Sequence, residues 1–472
     1  MRTAPEVTLG LTVSRQDPRA LPRQISDELR HLVATRVLRP GEPLPSSRAL
    51  AHHLKVSRGT VLAAYDQLLA EGYLRAAGGS RTVVNPALDA AHPAIRVEKT
   101  RPKEHRPTPG EAPIDLRPGR PNVDRIAGAQ WRAAWRKAAA TSFDSAPSDA
   151  GLPRLRNAVA DHLRRMRGVV RPADQIVITS GGREGLALLL IALAEAGRPL
   201  KVGVEDPGFP SLRLVPQRLG AQVMPLTTDD LGLVTDNLPT GEHAPQLIVA
   251  TPSHQYPLGG SLPIGRRLAL LEWAGASSGL IVEDDYDSEL RYSSSPLPAL
   301  ASLDHPQEGR VITLGTFAKT VSPGLGVGYL AAAPRVIDRL LAVRADLGQP
   351  VSLVAQRAMA EYLDSGELRR HTQRMRHLYR RRRGLVVAAF AGLPGVRVYP
   401  MDGGLHAVVE ITGAEAPLLA AALRRGVAVS GLSHYWGKAT DGRSGIVFGF
   451  GGVSDQNLAA GLAVLRSVCA EA

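Results

Sequence analysis

Apolar positions in the first 85 residues recur at helical spacing in three short bursts, each closed by a turn signal. Ile25, Leu29, Leu32 and Val33 share one face of a 3.6-residue period, and Arg39-Pro40-Gly41 ends that helix. Ser46 or Ser47 can cap a second short helix that buries Leu50 and Leu54. A tight turn through Lys55-Val56-Ser57 opens a third, predicted to bury Val61, Leu62, Tyr65, Leu68 and Leu69. Its other face offers Ser57, Arg58, Thr60 and Gln67, small or hydrogen-bonding groups able to enter a DNA major groove. Residues 72–75 and 81–84 then read as strands joined by 76–80, a hairpin with Arg81 near its tip.

Beyond this lies a segment, 85–113, with Pro86, Pro93, Pro102, Pro107, Pro109 and Pro113 among charged residues. Proline fixes φ and removes a donor, so the segment reads as an extended linker between 1–84 and 114–472. In the longer part, apolar strand-like runs at 175–179, 201–204, 246–250, 279–283 and 310–314 alternate with helical stretches. That alternation predicts an α/β unit with a mostly parallel sheet covered on both faces. Sheets of this kind bind ligands beyond the carboxyl ends of their strands. The longest apolar run, 185–194, stops at Glu195, far short of the roughly 20 residues that span a bilayer. With Arg2, Glu6, Arg15 and Asp17 at the N-terminus and Cys469 as its one cysteine, the chain is expected to be cytoplasmic and free of internal disulfides.

Charge sharpens this picture. The chain carries +13 overall, and residues 1–110 hold 14 arginines and 3 lysines against 10 acidic residues, over half of the excess. A polyanionic partner for the first part explains this, and an arginine-rich genomic composition is the alternative.

Four polar clusters follow predicted strands in the longer part. Ser180-Gly181-Gly182-Arg183 precedes an apolar helix, and backbone N–H groups at such a start can hold a phosphate or simply cap the helix. Glu205-Asp206-Pro207-Gly208-Phe209 presents an aromatic ring for stacking on a planar cofactor, or for the core. Glu283-Asp284-Asp285-Tyr286-Asp287 ends an apolar strand in carboxylates, which call for a metal or a protonated heterocycle nitrogen. Gly315-Thr316-Phe317-Ala318-Lys319 holds one of only seven lysines in a chain that prefers arginine. An amine can form a Schiff base and a guanidinium cannot, so Lys319 stands out as a nucleophile.

In the first part, Arg39-Pro40-Gly41, Leu44-Pro45-Ser46-Ser47-Arg48, Leu50-Ala51, Val56-Ser57-Arg58, Thr60-Val61 and Glu71-Gly72-Tyr73-Leu74 resemble the winged helix-turn-helix of the GntR family of bacterial regulators over about 21–84. The resemblance implies that Ser47, Arg48, Ser57, Arg58 and Thr60 contact an operator in double-stranded DNA, with Arg81 on the wing. The four clusters together resemble the fold-type I aminotransferases, which use pyridoxal 5'-phosphate. By that resemblance Lys319 bears the cofactor, Asp284 pairs with its ring nitrogen and Tyr286 touches its ring oxygen. Phe209 stacks on the ring, Gly181, Gly182, Arg183 and Thr316 hold the phosphate, and Arg443 grips a substrate or effector carboxylate.

The combination resembles the MocR subfamily, through Asp115-Leu116-Arg117-Pro118-Gly119, Thr251-Pro252-Ser253-His254-Gln255 and the motifs above. It implies a homodimeric transcription regulator that senses pyridoxal phosphate or an amino compound, with vestigial catalysis. A working aminotransferase with an accessory DNA-binding head is one rival, and a regulator that has lost the cofactor is another. The second rests on departures from the subfamily pattern: Gly326 stands where a phosphate-clamping arginine is usual, Ala318 replaces a serine, and the turn after Gly181 reads Gly182-Arg183-Glu184.

Overall fold

The computed structural model describes residues 11–77, 81–88, 113–126, 128–141, 148–292, 298–437 and 443–471. Most of the expected linker, the tip of the expected hairpin and part of the loop before Arg443 lie outside the described residues. The chain divides into two compact units, Met1–Arg106 and Pro107–Ala472.

The first unit contains α1 (Leu21–Ala34), α2 (Ser47–Leu54), α3 (Arg58–Ala70), β1 (Leu74–Ala77) and β2 (Arg81–Val84). The Ser46 hydroxyl starts α2 by accepting the Ala49 N–H at 3.1 Å, and Ser57 does the same for α3 with Thr60 at 3.1 Å. Between them Lys55 adopts φ +53°, which turns the chain sharply enough for α2 and α3 to pack through Leu50, Ala51, Val61 and Tyr65. Strands β1 and β2 pair antiparallel from Leu74↔Val84 to Ala77↔Arg81, giving the wing. Two expectations need correction. Leu62 points to solvent, 39% exposed, and Ala64 takes its place in the buried face of α3. Gln67 lies two turns beyond the start of α3 and donates to Glu71 at 3.0 Å, which pairs with Arg30 of α1 at 2.8 Å. It ties two helices together.

In the second unit β3 (Ile114–Asp115) comes first. Then β4 (Ile176–Thr179), β5 (Lys201–Asp206), β6 (Gln222–Asp229), β7 (Gly232–Leu233), β8 (Leu247–Ala250), β9 (Leu280–Asp285), β10 (Val311–Thr316) and β11 (Gly328–Ala331) form one sheet in the order β4-β11-β10-β9-β8-β5-β6-β7. Neighbours pair in parallel from β10 to β6, and β11 and β7 run antiparallel. The five strands expected from the sequence are β4, β5, β8, β9 and β10. Strand β6 escaped because it is near the sheet margin, carries Pro225 and buries few of its residues, and β11 is only four residues long. Helices Pro153–Arg167 and Ile264–Ser277 bury Leu155, Val159, Leu270 and Trp273 in one apolar cluster, while Gly182–Leu193 and Pro334–Leu347 bury Leu186, Leu189, Ile337 and Leu340 in another.

A smaller sheet uses β12 (Val396–Val398), β13 (His406–Ile411), β15 (Ser430–Gly431) and β16 (Ser444–Gly449), with β14 (Val427–Ala428) paired instead to β3 in parallel. Its core includes Leu116, Tyr379, Val409, Phe448 and Leu465, so the long helix Glu367–Phe390 and the last helix Asp455–Ala470 pack on it. Among the described residues no helix is long and apolar enough to cross a membrane.

Candidate cofactor site and DNA-reading face

The carboxyl ends of β4, β5, β8, β9 and β10 lead into the polar clusters singled out in the sequence. At the end of β10 the chain passes through Gly315, where a Cβ would overlap the Tyr329 ring, and reaches Lys319. The Lys319 Nζ donates to the Gly119 carbonyl at 2.8 Å. Gly119 has φ +99°, and a Cβ there would come within 3.0 Å of the amine, so glycine is needed on both counts. Burial pulls the Lys319 ammonium below its ordinary value, Asp287 and Asp284 oppose this, and the nearby Arg183 adds to it. The amine is thereby moved toward its nucleophilic form.

Asp284 sits at the end of β9, only 9% exposed. Among the described residues no side chain or backbone N–H hydrogen-bonds to its carboxylate, and burial with Asp285, Asp287 and Glu205 nearby pushes it up to about 8. A buried carboxyl without a partner requires a cation or a proton. Its neighbours are already committed: Asp285 accepts from Arg167 at 2.6 Å, and Asp287 lies 3.0 Å from His254 Nδ1. No group of three or more histidine, cysteine or acidic side chains among the described residues could hold a metal ion. A protonated ring nitrogen is the cation this arrangement suits.

Gly181 begins the helix Gly182–Leu193 with φ +114°. A Cβ on Gly181 would meet nothing within 4 Å, and one on Gly182 would meet only Leu314 at 4.0 Å, so this helix start is open on one side. The first turn of a helix leaves N–H groups without intrahelical partners at the positive end of its dipole, as a phosphate would require. Thr316 Oγ1 accepts from Ala318 N at 3.1 Å and keeps its proton to donate. Gly326 is left-handed, with φ +60° and ψ +45°, and its missing Cβ would look toward Ser180 at 4.0 Å, beside the same helix start. Arg183 is exposed and holds its guanidinium 5.8 Å from the Phe209 ring centre, while Phe209 meets Tyr256 edge-on at 5.4 Å. The residues therefore fit a phosphate-bearing pyridine aldehyde, with a clamping charge available from Arg183.

Two further expected residues have partners within the chain. The Tyr286 hydroxyl donates to the His254 carbonyl at 3.0 Å and lies 3.0 Å from His254 Nδ1, and its ring stacks on His254 at 5.9 Å. Arg443 precedes β16 and donates to the Tyr399 hydroxyl at 3.3 Å. The β13–β16 register pairs Ile411 with Ser444 and His406 with Gly449, so Arg443 lies about 20 Å along the strands from the His406 end. His406, at the other end of that strand pair, is the residue close enough to feel the charge of Lys319.

His406, Asp287 and Gly119 were missed as site residues. Asp287 and Gly119 stood inside motifs already picked out, but His406 opens an ordinary alternating strand with no local signal. Burial and His254, 5.3 Å away ring to ring, push His406 down to about 3, so it is neutral and donates from Nε2 to the Pro257 carbonyl at 2.9 Å.

In the first unit Ser47, Arg48, Ser57, Arg58 and Thr60 gather at the starts of α2 and α3, and Arg81 begins β2. Arg58 Nε donates to Ser47 Oγ at 3.3 Å, and Ser57 and Thr60 hydroxyls lie 2.8 Å apart. Arg48, Arg58 and Arg81 are exposed and form no ion pair among the described residues.

A winged helix-turn-helix joined to an aminotransferase-like unit defines a class of DNA-binding transcription regulators. Residues 21–84 match the model of bacterial regulatory proteins of the gntR family, and 116–443 match that of aminotransferase class I and II. The chain is 45% identical over 450 residues, 95% of its length and 96% of the other, to the pyridoxine biosynthesis transcriptional regulator PdxR of Corynebacterium glutamicum. It is 32% identical to the probable rhizopine catabolism regulatory protein MocR of Rhizobium meliloti, across 97% of this chain and 95% of that one. An archaeal alanine:glyoxylate aminotransferase shares the fold of 77% of the chain and 92% of its own, with a TM-score of 0.71 at 24% identity. The chain belongs to the MocR-type regulators of the GntR family.

Proposed function

We propose that this regulator senses pyridoxal 5'-phosphate itself, held at Lys319, and converts occupancy into a change in operator binding. The observation that carries this is Asp284, a buried carboxyl with no hydrogen-bond partner among the described residues, charge-coupled to an amine depressed by burial. When bound, the cofactor supplies an aldehyde carbon open to amine attack and a ring that withdraws electrons. Lys319 supplies the amine, and Asp284 supplies the counter-charge for the ring nitrogen. The N–H groups at Gly181 and Gly182, the Thr316 hydroxyl and Arg183 take the phosphate, and Phe209 covers one ring face. His254 pairs with Asp287, and His406, kept neutral by burial, stands beside His254.

The position of Arg443 favours one effector class. An amino acid needs a cation for its carboxylate, and this arginine is bonded to Tyr399 at the far end of the small sheet. Pyridoxal phosphate makes no such demand, and the relative named for control of pyridoxine biosynthesis supports the same choice. We further propose a cytoplasmic homodimer, whose paired heads read a repeated operator through Ser47, Arg48, Ser57, Arg58, Thr60 and Arg81. Occupancy then acts by shifting the population of conformers that present the heads at the operator spacing.

The test is the visible absorbance of the purified protein titrated with pyridoxal phosphate, beside Lys319→Ala. A visible band in the parent that is absent from the variant, together with a change in operator affinity in the parent alone, is expected. Absence of the band in both proteins would show that Gly326 and Ala318 mark a unit that kept the fold and gave up the cofactor.

A further inference from the structure

We propose that the outward face of the helix Glu367–Phe390 is a second contact surface for double-stranded DNA, separate from the winged helix. The distribution of charge points to it first. Residues 107–472 carry a net +6, and this one helix has eight arginines against a single acidic residue, Glu367, a net +7. The rest of the unit is close to neutral, so its excess is not a diffuse consequence of arginine-rich composition.

The arginines of this helix do two different jobs. Arg382 is buried and donates to the Phe450 and Gly451 carbonyls at 2.8 and 2.9 Å and to Asp455 at 2.8 Å. Arg376 donates to the Glu289 carbonyl at 2.5 Å, and Arg380 to that of Tyr292 at 2.9 Å. These fasten the helix to its unit. Arg370, Arg374, His377 and Arg381 are exposed and fall at i, i+4, i+7 and i+11, a straight stripe about 16 Å long at 1.5 Å per residue. Arg369 and Gln373 flank it, both exposed.

Little within the chain balances that stripe. Arg370 meets Glu367 at 2.7 Å, and Arg381 meets Asp455, which Arg382 already shares. Arg369 and Arg374 form no hydrogen bond or ion pair among the described residues. Like charges four residues apart on a helix repel, so the stripe is held against a local electrostatic cost. A phosphate backbone relieves it: one strand presents a charge about every 3.4 Å along the axis, several over the length of this stripe. A duplex is also at hand, because the head of the same chain binds DNA. Residues 89–112 span at most about 80 Å when extended, which keeps a head-bound duplex at high effective concentration.

The experiment uses the full-length chain without added pyridoxal phosphate, so its outcome is independent of the cofactor. Binding to a random-sequence duplex of about 60 base pairs is followed by fluorescence anisotropy across a salt series, and log K is plotted against log salt. Arg370→Ala/Arg374→Ala/Arg381→Ala should flatten the slope by roughly 2 to 3, about 0.9 for each phosphate that is no longer neutralised. The matching triple lysine variant should keep the parental slope, since an ammonium still displaces counterions. A slope in the alanine variant equal to the parent's would overturn the proposal. So would a lysine variant that falls with the alanine one, since that outcome assigns the arginines a structural task.

Discussion

Burial pushes the Asp284 carboxyl up to about 8, so at neutral pH the cofactor-free folded protein holds a proton that the unfolded chain has released. A raised carboxyl favours the fold fully only below its unfolded value near 4, and that contribution is lost as pH rises through about 8. Glu205, pushed up to about 7 by burial against the opposing hydrogen bonds from Thr251, acts in the same direction. Thermal melts of cofactor-free Asp284→Asn should therefore depend less on pH between about 5 and 8 than those of the parent, and the variant should melt higher at pH 8. Parallel curves would mean that Asp284 is already ionised and paired. Lys319 and Asp284 could be singled out in the sequence because their residue types carry the chemistry: a rare lysine, and an acid at the end of an apolar strand. His406 could not be, since a histidine opening a strand has a meaning only once its neighbours are known. At the DNA-reading face, Arg58→Ala should weaken operator binding by about 1 to 3 kcal/mol if the guanidinium reads a base. Equal weakening on operator and random duplexes would reassign it to a phosphate.

Elements answer to capping, close packing and register. Ser57 both caps α3 and offers its hydroxyl beside Thr60, so Ser57→Ala should lower the stability of the first unit by about 1 kcal/mol in chemical denaturation. An unchanged midpoint would show that water replaces the cap. At β10, Gly315→Ala would drive a methyl into the Tyr329 ring and should destabilise the second unit by about 1 to 3 kcal/mol. Circular dichroism melts measure this, and a neutral result would mean that β11 can move aside. Parallel central strands were readable because burial on both faces makes them continuous apolar runs. The short strand β11, the sheet-margin strands β6 and β7 and the whole smaller sheet lack such runs, and their pairing depends on partners far along the chain. Leu62 shows the same limit inside a helix: the 3.6-residue period places it beside the buried stripe, and only packing against α1 and α2 shows that Ala64 fills the core position.

For the molecule as a unit, ligand that binds only the folded state raises stability by mass action. Pyridoxal phosphate at about 100 times its dissociation constant should add about 2.7 kcal/mol to the parent and much less to Lys319→Ala, read as a shift in melting temperature. Equal shifts in both proteins would place the ligand elsewhere. The sequence by itself determined the two-part plan, the helix-turn-helix with its caps, the five central strands and the loops that carry Lys319, Asp284 and Gly181. Each of these is local: a cap, a turn or a strand end is specified within a few residues of contiguous chain. Tertiary structure alone decided that the Lys319 amine meets the Gly119 carbonyl, that His406 stands beside His254, that Tyr286 bonds to the His254 carbonyl, and that Arg443 donates to Tyr399. Those facts depend on strand register and on contacts between residues 30 to 200 positions apart, where a shift of one residue moves a side chain to the other face of its sheet.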